Sequence, residues 1–378
     1  MMIGNRHFSP LWFASISLAL AVQPALHAQI VGAPSAIPAA PASAPQTPAA
    51  SSAATAAPAP TQAERAKAYF HAAMAGVDED EAIDSGQMEY ISRAVEEYKN
   101  ALNADPNSPQ LNNALADLYF RAGKVDDAEA TAHGLLKVAP DNIDAHKLLG
   151  RIYLRELSQS QNSVSSSSPR GNPLDLAIAE YEKIVELEPK NVDDHMVLGQ
   201  LYSVRHDTKK AEDQFSLARS INPDSEEVVL NLARLYAENG NIDQAAKVIE
   251  QVNPDNRTAK MEFALGAAYE QLKRPKDAIT AYQRAAVLEP EDPRTLATLA
   301  QALFQDGQYD EAYKQYQKLT QLDPENAGAE VRISEILRRQ GNYQDALAAA
   351  QRALQIDPNS LEAGYNEGLL DDVLGRYD

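Results

Sequence analysis

The chain contains no cysteine, so disulfides, thiolate chemistry and lipid attachment through an amino-terminal cysteine are all excluded. It has one tryptophan, Trp12, which lies outside any repeated segment. There is no H-E-x-x-H segment and no glycine-rich phosphate loop, so two common signatures of hydrolase and nucleotide chemistry are missing. The apolar run LWFASISLALAV (11–22) is too short to cross a bilayer. Basic residues are outnumbered, 34 against 54 acidic, giving a net charge of −20. Such a balance repels nucleic acid and anionic lipid at long range, and neither is expected as a partner.

What is present begins with an export signal. Arg6 and His7 precede the apolar run, which is followed by Pro24 and small residues up to Ala28. This is the layout of a secretory signal peptide, expected over 1–28, with cleavage after Ala33 as the alternative. The mature chain is therefore expected to be periplasmic or secreted, with no integral membrane segment. Residues 29–63 are almost wholly Ala, Pro, Ser, Thr and Gln, and prolines every few positions keep them from folding as helix. They are expected to form a disordered, semi-extended linker.

From 64 to 378 one phrase recurs. With Pro293 as position 1, residues 293–305 place Leu296, Leu299, Ala300 and Leu303 on one helical stripe. Gly307 ends that helix. A second helix follows with Ala312, Tyr316, Leu319 and Leu322 on one stripe, and Asp323-Pro324 stops it. Small residues recur at position 8 (Ala116, Gly150, Gly199, Ala233, Gly266, Ala300, Ser334, Gly368), and tyrosine or leucine at position 11 (Tyr119 to Leu337). Alanine holds position 20, from Ala128 to Ala346, and proline closes most units at position 32. A small side chain on one helix admits a bulky one on its neighbour, which explains the alternation.

A period of 34 residues written as helix–turn–helix resembles the tetratricopeptide repeat family, over roughly 64–378. The resemblance implies an all-α fold, a right-handed α-solenoid of about eight helix–turn–helix units. The departures are specific. The unit at 226–258 has 33 residues and an early proline, Pro254, and the unit starting at Ile143 carries a serine-rich insertion, 158–172, expected to be a mobile loop. The first unit is degenerate, with a first helix near 64–75 set apart by the acidic stretch VDEDEAIDSG, and the last repeat, from 361, is incomplete.

No catalytic constellation emerges, so the chain is expected not to be an enzyme and to need no cofactor. His146 and His195 share position 4, where packing between helices is the expected role and metal ligation the minority one. Asp126-Asp127 and Asp193-Asp194 sit at helix starts and are expected to be solvated.

In peptide-binding members of the resembled family, positions 2, 5, 9, 12 and 13 of each first helix line a concave groove. Carried onto this sequence, the candidate peptide-binding residues are Asn113, Lys147, Arg151, Arg155, Met196, Gln200, Leu230, Asn231, Arg234 and Phe263. The groove is expected to be cationic around Lys147, Arg151, Arg155 and Arg234 and apolar along Met196, Leu230 and Phe263, with Asp144 and Asp193 as local counter-charges. It does not match the Lys/Asn/Arg clamp by which chaperone-binding members hold a terminal carboxylate. The expected function is an exported, non-catalytic scaffold for a protein or peptide partner, acidic with apolar anchors. The alternative is the substrate-recognition portion of a larger or truncated protein, such as a glycosyltransferase or an outer-membrane export or assembly system.

Export predicts that material purified from the native host has lost Trp12. It should show tyrosine but no tryptophan fluorescence, and an intact mass that includes residues 1–28 contradicts processing.

Overall fold

The computed structural model describes residues 60–160 and 171–376. The signal segment 1–28, nearly all of the linker 29–63 and the middle of the insertion 158–172 lie outside the described residues. The described residues form seventeen α-helices, one 3-10 turn and no strand. The chain divides into two compact units, 1–180 and 181–378.

The first unit holds α1 (Gln62–Ser85), α2 (Met88–Ala104), α3 (Pro109–Arg121), α4 (Val125–Val138), α5 (Ile143–Ser160) and the first half of α6 (Pro173–Leu187). The second holds the rest of α6, then α7 (Val192–Val204), α8 (Thr208–Ile221), α9 (Glu226–Glu238), α10 (Ile242–Glu250), α11 (Ala259–Gln271) and α12 (Pro275–Leu288). It continues with α13 (Pro293–Gln305), α14 (Tyr309–Leu322), α15 (Ala327–Arg339), α16 (Tyr343–Ile356) and α17 (Leu361–Leu374). Within each unit, helices pair as antiparallel hairpins and hairpins stack in sequence order.

The local chemistry sets these limits. α13 starts where the Asp292 carboxylate accepts the Thr295 amide at 2.9 Å, with Pro293 in the first turn, where no amide hydrogen is needed. The turn between the helices of a hairpin demands a left-handed residue at position 15. Glycine supplies it at 123, 240, 307 and 341, but His206 and Lys273 adopt it at φ 61 and 56 in their units.

Packing follows the small-and-large alternation. Every position-20 alanine from Ala94 to Ala346 is buried. At Gly199 the α7 backbone passes so close to the Phe215 ring of α8 that an added Cβ would lie 2.6 Å from it. Gly266 meets Tyr282 in the same way at 2.5 Å. Where position 24 carries a smaller side chain, as at Ile249 and Ala350, position 8 is Ala233 and Ser334. The second unit's core joins Tyr282, Leu299, Leu303, Tyr316, Ile333 and Leu347 across three hairpins.

Three sequence expectations are corrected. The acidic stretch after residue 75 does not separate two helices; α1 runs through it to Ser85. Tertiary partners hold it in place. Arg93 reaches the buried Asp78 at 2.7 Å, and Glu79 accepts the Tyr98 hydroxyl at 2.7 Å and a bond from Arg121. The insertion's first residues, 158–160, prolong α5 instead of leaving it. Of the acidic pairs, Asp126, Asp127 and Asp193 are exposed, but Asp194 is buried. The 33-residue unit does close at its early proline, by a 3-10 turn, Pro254–Asn256, after a nine-residue α10. Arg257 stands where the closing proline belongs. Its guanidinium takes up the carbonyls of Glu250, at the end of α10 (2.8 Å), and of Val252 just beyond it (3.0 Å), and pairs with the buried Glu262 at 3.4 Å.

Three stability outcomes follow, each measured by chemical denaturation. Lys273→Gly relieves the left-handed residue and should gain about 1 kcal/mol. Gly199→Ala should lose stability, because overpacking costs about 1–3 kcal/mol against about 1 kcal/mol of helix propensity gained. Gly134→Ala, with nothing within 4 Å of the added carbon, should gain instead.

Candidate peptide-binding surface

First helices of the hairpins carry the candidate residues, α3 and α5 in the first unit and α7, α9 and α11 in the second. In the first unit, Asn113 Nδ2 donates to Asp144 Oδ2 at 3.0 Å. Asp144 is therefore engaged by an amide. Arg151 of the basic stripe has a counter-charge in Asp117, whose Oδ1 lies 2.6 Å from it and whose Oδ2 accepts from Arg121 at 2.9 Å. Lys147, Arg151 and Arg155 are spaced i, i+4, i+8 along α5; Lys147 is half-buried and both arginines are exposed. Phe120, at position 12 of α3, lies under both guanidinium groups, 5.1 Å from Arg151 and 5.7 Å from Arg155. Phe120 and Asp117 were not among the residues singled out as a site, although both stand at groove positions of the resembled family.

In the second unit the candidate residues separate by burial. Met196 is 4% exposed and belongs to the packed interior, so it offers no surface anchor. Position 5 of α7 turns inward where Leu230 of α9 and Phe263 of α11 stay half-buried. Gln200 is half-buried on α7. Asn231 is buried; it donates to the Glu227 carbonyl at 2.8 Å and accepts from Arg234. Arg234 thus caps a neighbour on its own helix. Phe263 packs on the Tyr282 ring, centroids 5.3 Å apart, and carries the Arg294 guanidinium 4.5 Å above it. Phe304 of α13 and Arg339 of α15 repeat the motif at 5.1 Å. An aromatic ring on one first helix under an arginine of the next is therefore a recurring feature.

The position-4 histidines are hydrogen-bonded at both ring nitrogens. His146 meets Glu180 at 2.6 Å and the Pro140 carbonyl at 2.8 Å, and His195 meets Gln214 at 2.8 Å and the Pro189 carbonyl at 3.0 Å. Asn112 reaches the Pro106 carbonyl at 3.2 Å from the same position. In these three units position 4 ties the first helix to the closing proline before it. Among the described residues no cluster of three or more His, Cys, Asp or Glu is arranged to hold a metal, and no helix is long and apolar enough to cross a membrane.

Register between hairpins is held by position-11 tyrosines that donate to a glutamate on the preceding second helix. Tyr153 bonds Glu129 (3.1 Å), Tyr202 bonds Glu182, Tyr236 bonds Glu212 (2.6 Å) and Tyr269 bonds Glu250 (2.7 Å). Burial, then the bond to the carboxylate, pushes the Tyr236 and Tyr269 hydroxyls up to about 12.

These contacts define a repeat scaffold, and sequence comparison agrees. Three tetratricopeptide repeat family models match the chain, over 91–152, 176–323 and 298–360. The chain belongs to the tetratricopeptide repeat family. A stretch of 48 residues, 13% of this chain, is 46% identical to Cellulose synthase operon protein C of Pseudomonas fluorescens (strain SBW25) and spans 4% of that protein's length. Among solved structures, YrrB, described as a TPR protein with an unusual peptide-binding site, is 20% identical. That match covers 50% of this chain and 97% of YrrB, with a TM-score of 0.43. The C-terminal part of a TPR repeat-containing protein from Cytophaga hutchinsonii is 17% identical, covering 79% of this chain and 98% of that one, with a TM-score of 0.47.

The tyrosine ladder predicts an alkaline limit to stability. Unfolded tyrosines ionise near pH 10, before Tyr236 and Tyr269 do at about 12 in the fold. The unfolded chain then binds fewer protons, so stability is full below pH 10 and declines between pH 10 and 12. Tyr236→Phe with Tyr269→Phe should flatten that decline in urea titrations at stepped pH.

Proposed function

We propose that the chain is an exported, non-catalytic scaffold whose first-helix surfaces bind a protein or peptide partner. The observation that carries the reading is the pair of exposed guanidinium groups, Arg151 and Arg155, held over one ring, Phe120. Asp117 fixes Arg151 from the side, so the fork is ordered before any ligand arrives. Its chemistry suits a carboxylate-bearing segment, and the half-buried ring beneath suits an adjacent apolar side chain. In the second unit, Leu230 and Phe263 supply apolar contact area and Arg294 a further cation. An acidic peptide with apolar anchors fits this description, and its approach should be faster at low salt.

The likeness to Cellulose synthase operon protein C favours a second reading, in which these repeats are the recognition portion of a polysaccharide export or assembly system. The same surface would serve there, with a protein of that system as the partner. In both readings the repeats recognise and do not catalyse.

Arg151→Glu with Arg155→Glu tests the proposal. Affinity for partners co-purified from the exported fraction should drop roughly tenfold or more while the circular dichroism spectrum is unchanged. Undiminished binding at both low and high salt overturns it.

A further inference from the structure

α1 has two apolar faces, and among the described residues only one of them is covered. Ala68, Ala75, Asp78 and Ala82 are buried on the α2 side. On the opposite side Phe70 (62% exposed), Met74 (36%) and Val77 (59%) form an i, i+4, i+7 stripe, edged by Tyr69 (74%) and by exposed Ala66 and Ala73. Three large apolar side chains in a row on an outer helix are unlike the end of a repeat stack, which usually presents polar residues.

The charges around the stripe show what would cover it. Lys67 and Arg65 are exposed on one side of Met74 along the helix, where Glu64 is held in the cap with Thr61, and Asp80, Glu81 and Asp84 are exposed on the other. Lys67 and Glu81 are each seven residues from Met74, about 21 Å apart at the helical rise. A helix with that arrangement is complementary to itself reversed. A two-fold axis beside Met74 sets Lys67 of each copy opposite Glu81 of the other and interleaves Phe70 with the other copy's Met74 and Val77. Ala66 and Ala73 are small enough to let the two backbones approach.

We infer that α1 is the seat of a homodimer, a second copy of this chain packing antiparallel on the Phe70–Met74–Val77 stripe. The interface is isologous, so it closes at two copies and does not propagate. It lies on a different helix from the residues of the proposed peptide site and stands or falls independently of them.

The absence of native cysteine makes the test direct. In the full chain, Met74→Cys places a single thiol at the axis, and Val287→Cys, at another exposed apolar position, serves as the control. A short bismaleimide should join Met74→Cys copies to dimer and leave Val287→Cys monomeric. Sedimentation equilibrium of the unmodified full chain should show a reversible dimer. Phe70→Ser should weaken that dimer by roughly tenfold or more, and Lys67→Glu by roughly two- to five-fold. Adding Glu81→Lys to Lys67→Glu should restore it. A monomer at about 100 µM, the range of weak association, overturns the inference, whether the stripe is then covered by residues before Gln62 or by another protein. A dimer unaffected by Phe70→Ser also overturns it.

Discussion

The close approach of paired helices at position 8 is the constraint on which the rest of this structure depends. At Gly199 and Gly266 the backbone of a first helix lies against an aromatic ring of its partner, and an added methyl group would overlap that ring. The contact fixes the depth of each hairpin and thereby the face that its first helix leaves outward. Ala300 shows the same contact under looser terms: Tyr316 is accommodated beside it and donates from its hydroxyl to Gln301 at 3.1 Å. Each hairpin alone leaves apolar surface uncovered, so stability comes from stacking. The stack is then indexed by polar contacts, the tyrosine–glutamate ladder between hairpins and the position-4 bonds to the closing proline carbonyl. Directional bonds of this kind add little net energy each but penalise a slipped register, because an engaged group such as the buried Glu129 carboxylate would lose its donor.

Most of this architecture was legible because it is periodic. Helix limits, the glycine turns and the alanine at position 20 are set by requirements that recur in every unit, so a single residue class marks each of them. Elements that depend on one distant partner were not legible. The acidic run VDEDEAIDS reads locally as a break, yet it is helical because Arg93, Tyr98 and Arg121 converge on Asp78 and Glu79. His206 and Lys273 hide the turn position that glycine advertises elsewhere. Arg257 repairs a shortened unit by hydrogen bonds that no periodic pattern announces.

The candidate surface was legible in outline and wrong in parts for the same reason. The basic stripe on α5 follows from i, i+4, i+8 spacing, and it is there. Arg151 also pairs with Asp117 of the preceding first helix, a partner thirty-four residues back that the spacing does not announce. Met196 shares its repeat position with Leu230 and Phe263 but is buried, since a repeat position specifies a direction and the local packing decides how much of it reaches solvent. Phe120 gains its importance only from two arginines thirty-one and thirty-five residues later. Aromatic rings under arginines across neighbouring first helices are thus a property of the stack and of no single repeat.

Hydroxyl-radical footprinting, with and without a saturating acidic peptide bearing apolar anchors, tests the central claim that the first-helix surfaces are where a partner is held. Protection should appear at Phe120 in the first unit and at Phe263 in the second, while Tyr343, exposed on a second helix, keeps its reactivity. Protection at Tyr343 with none at Phe120 or Phe263 would contradict the account.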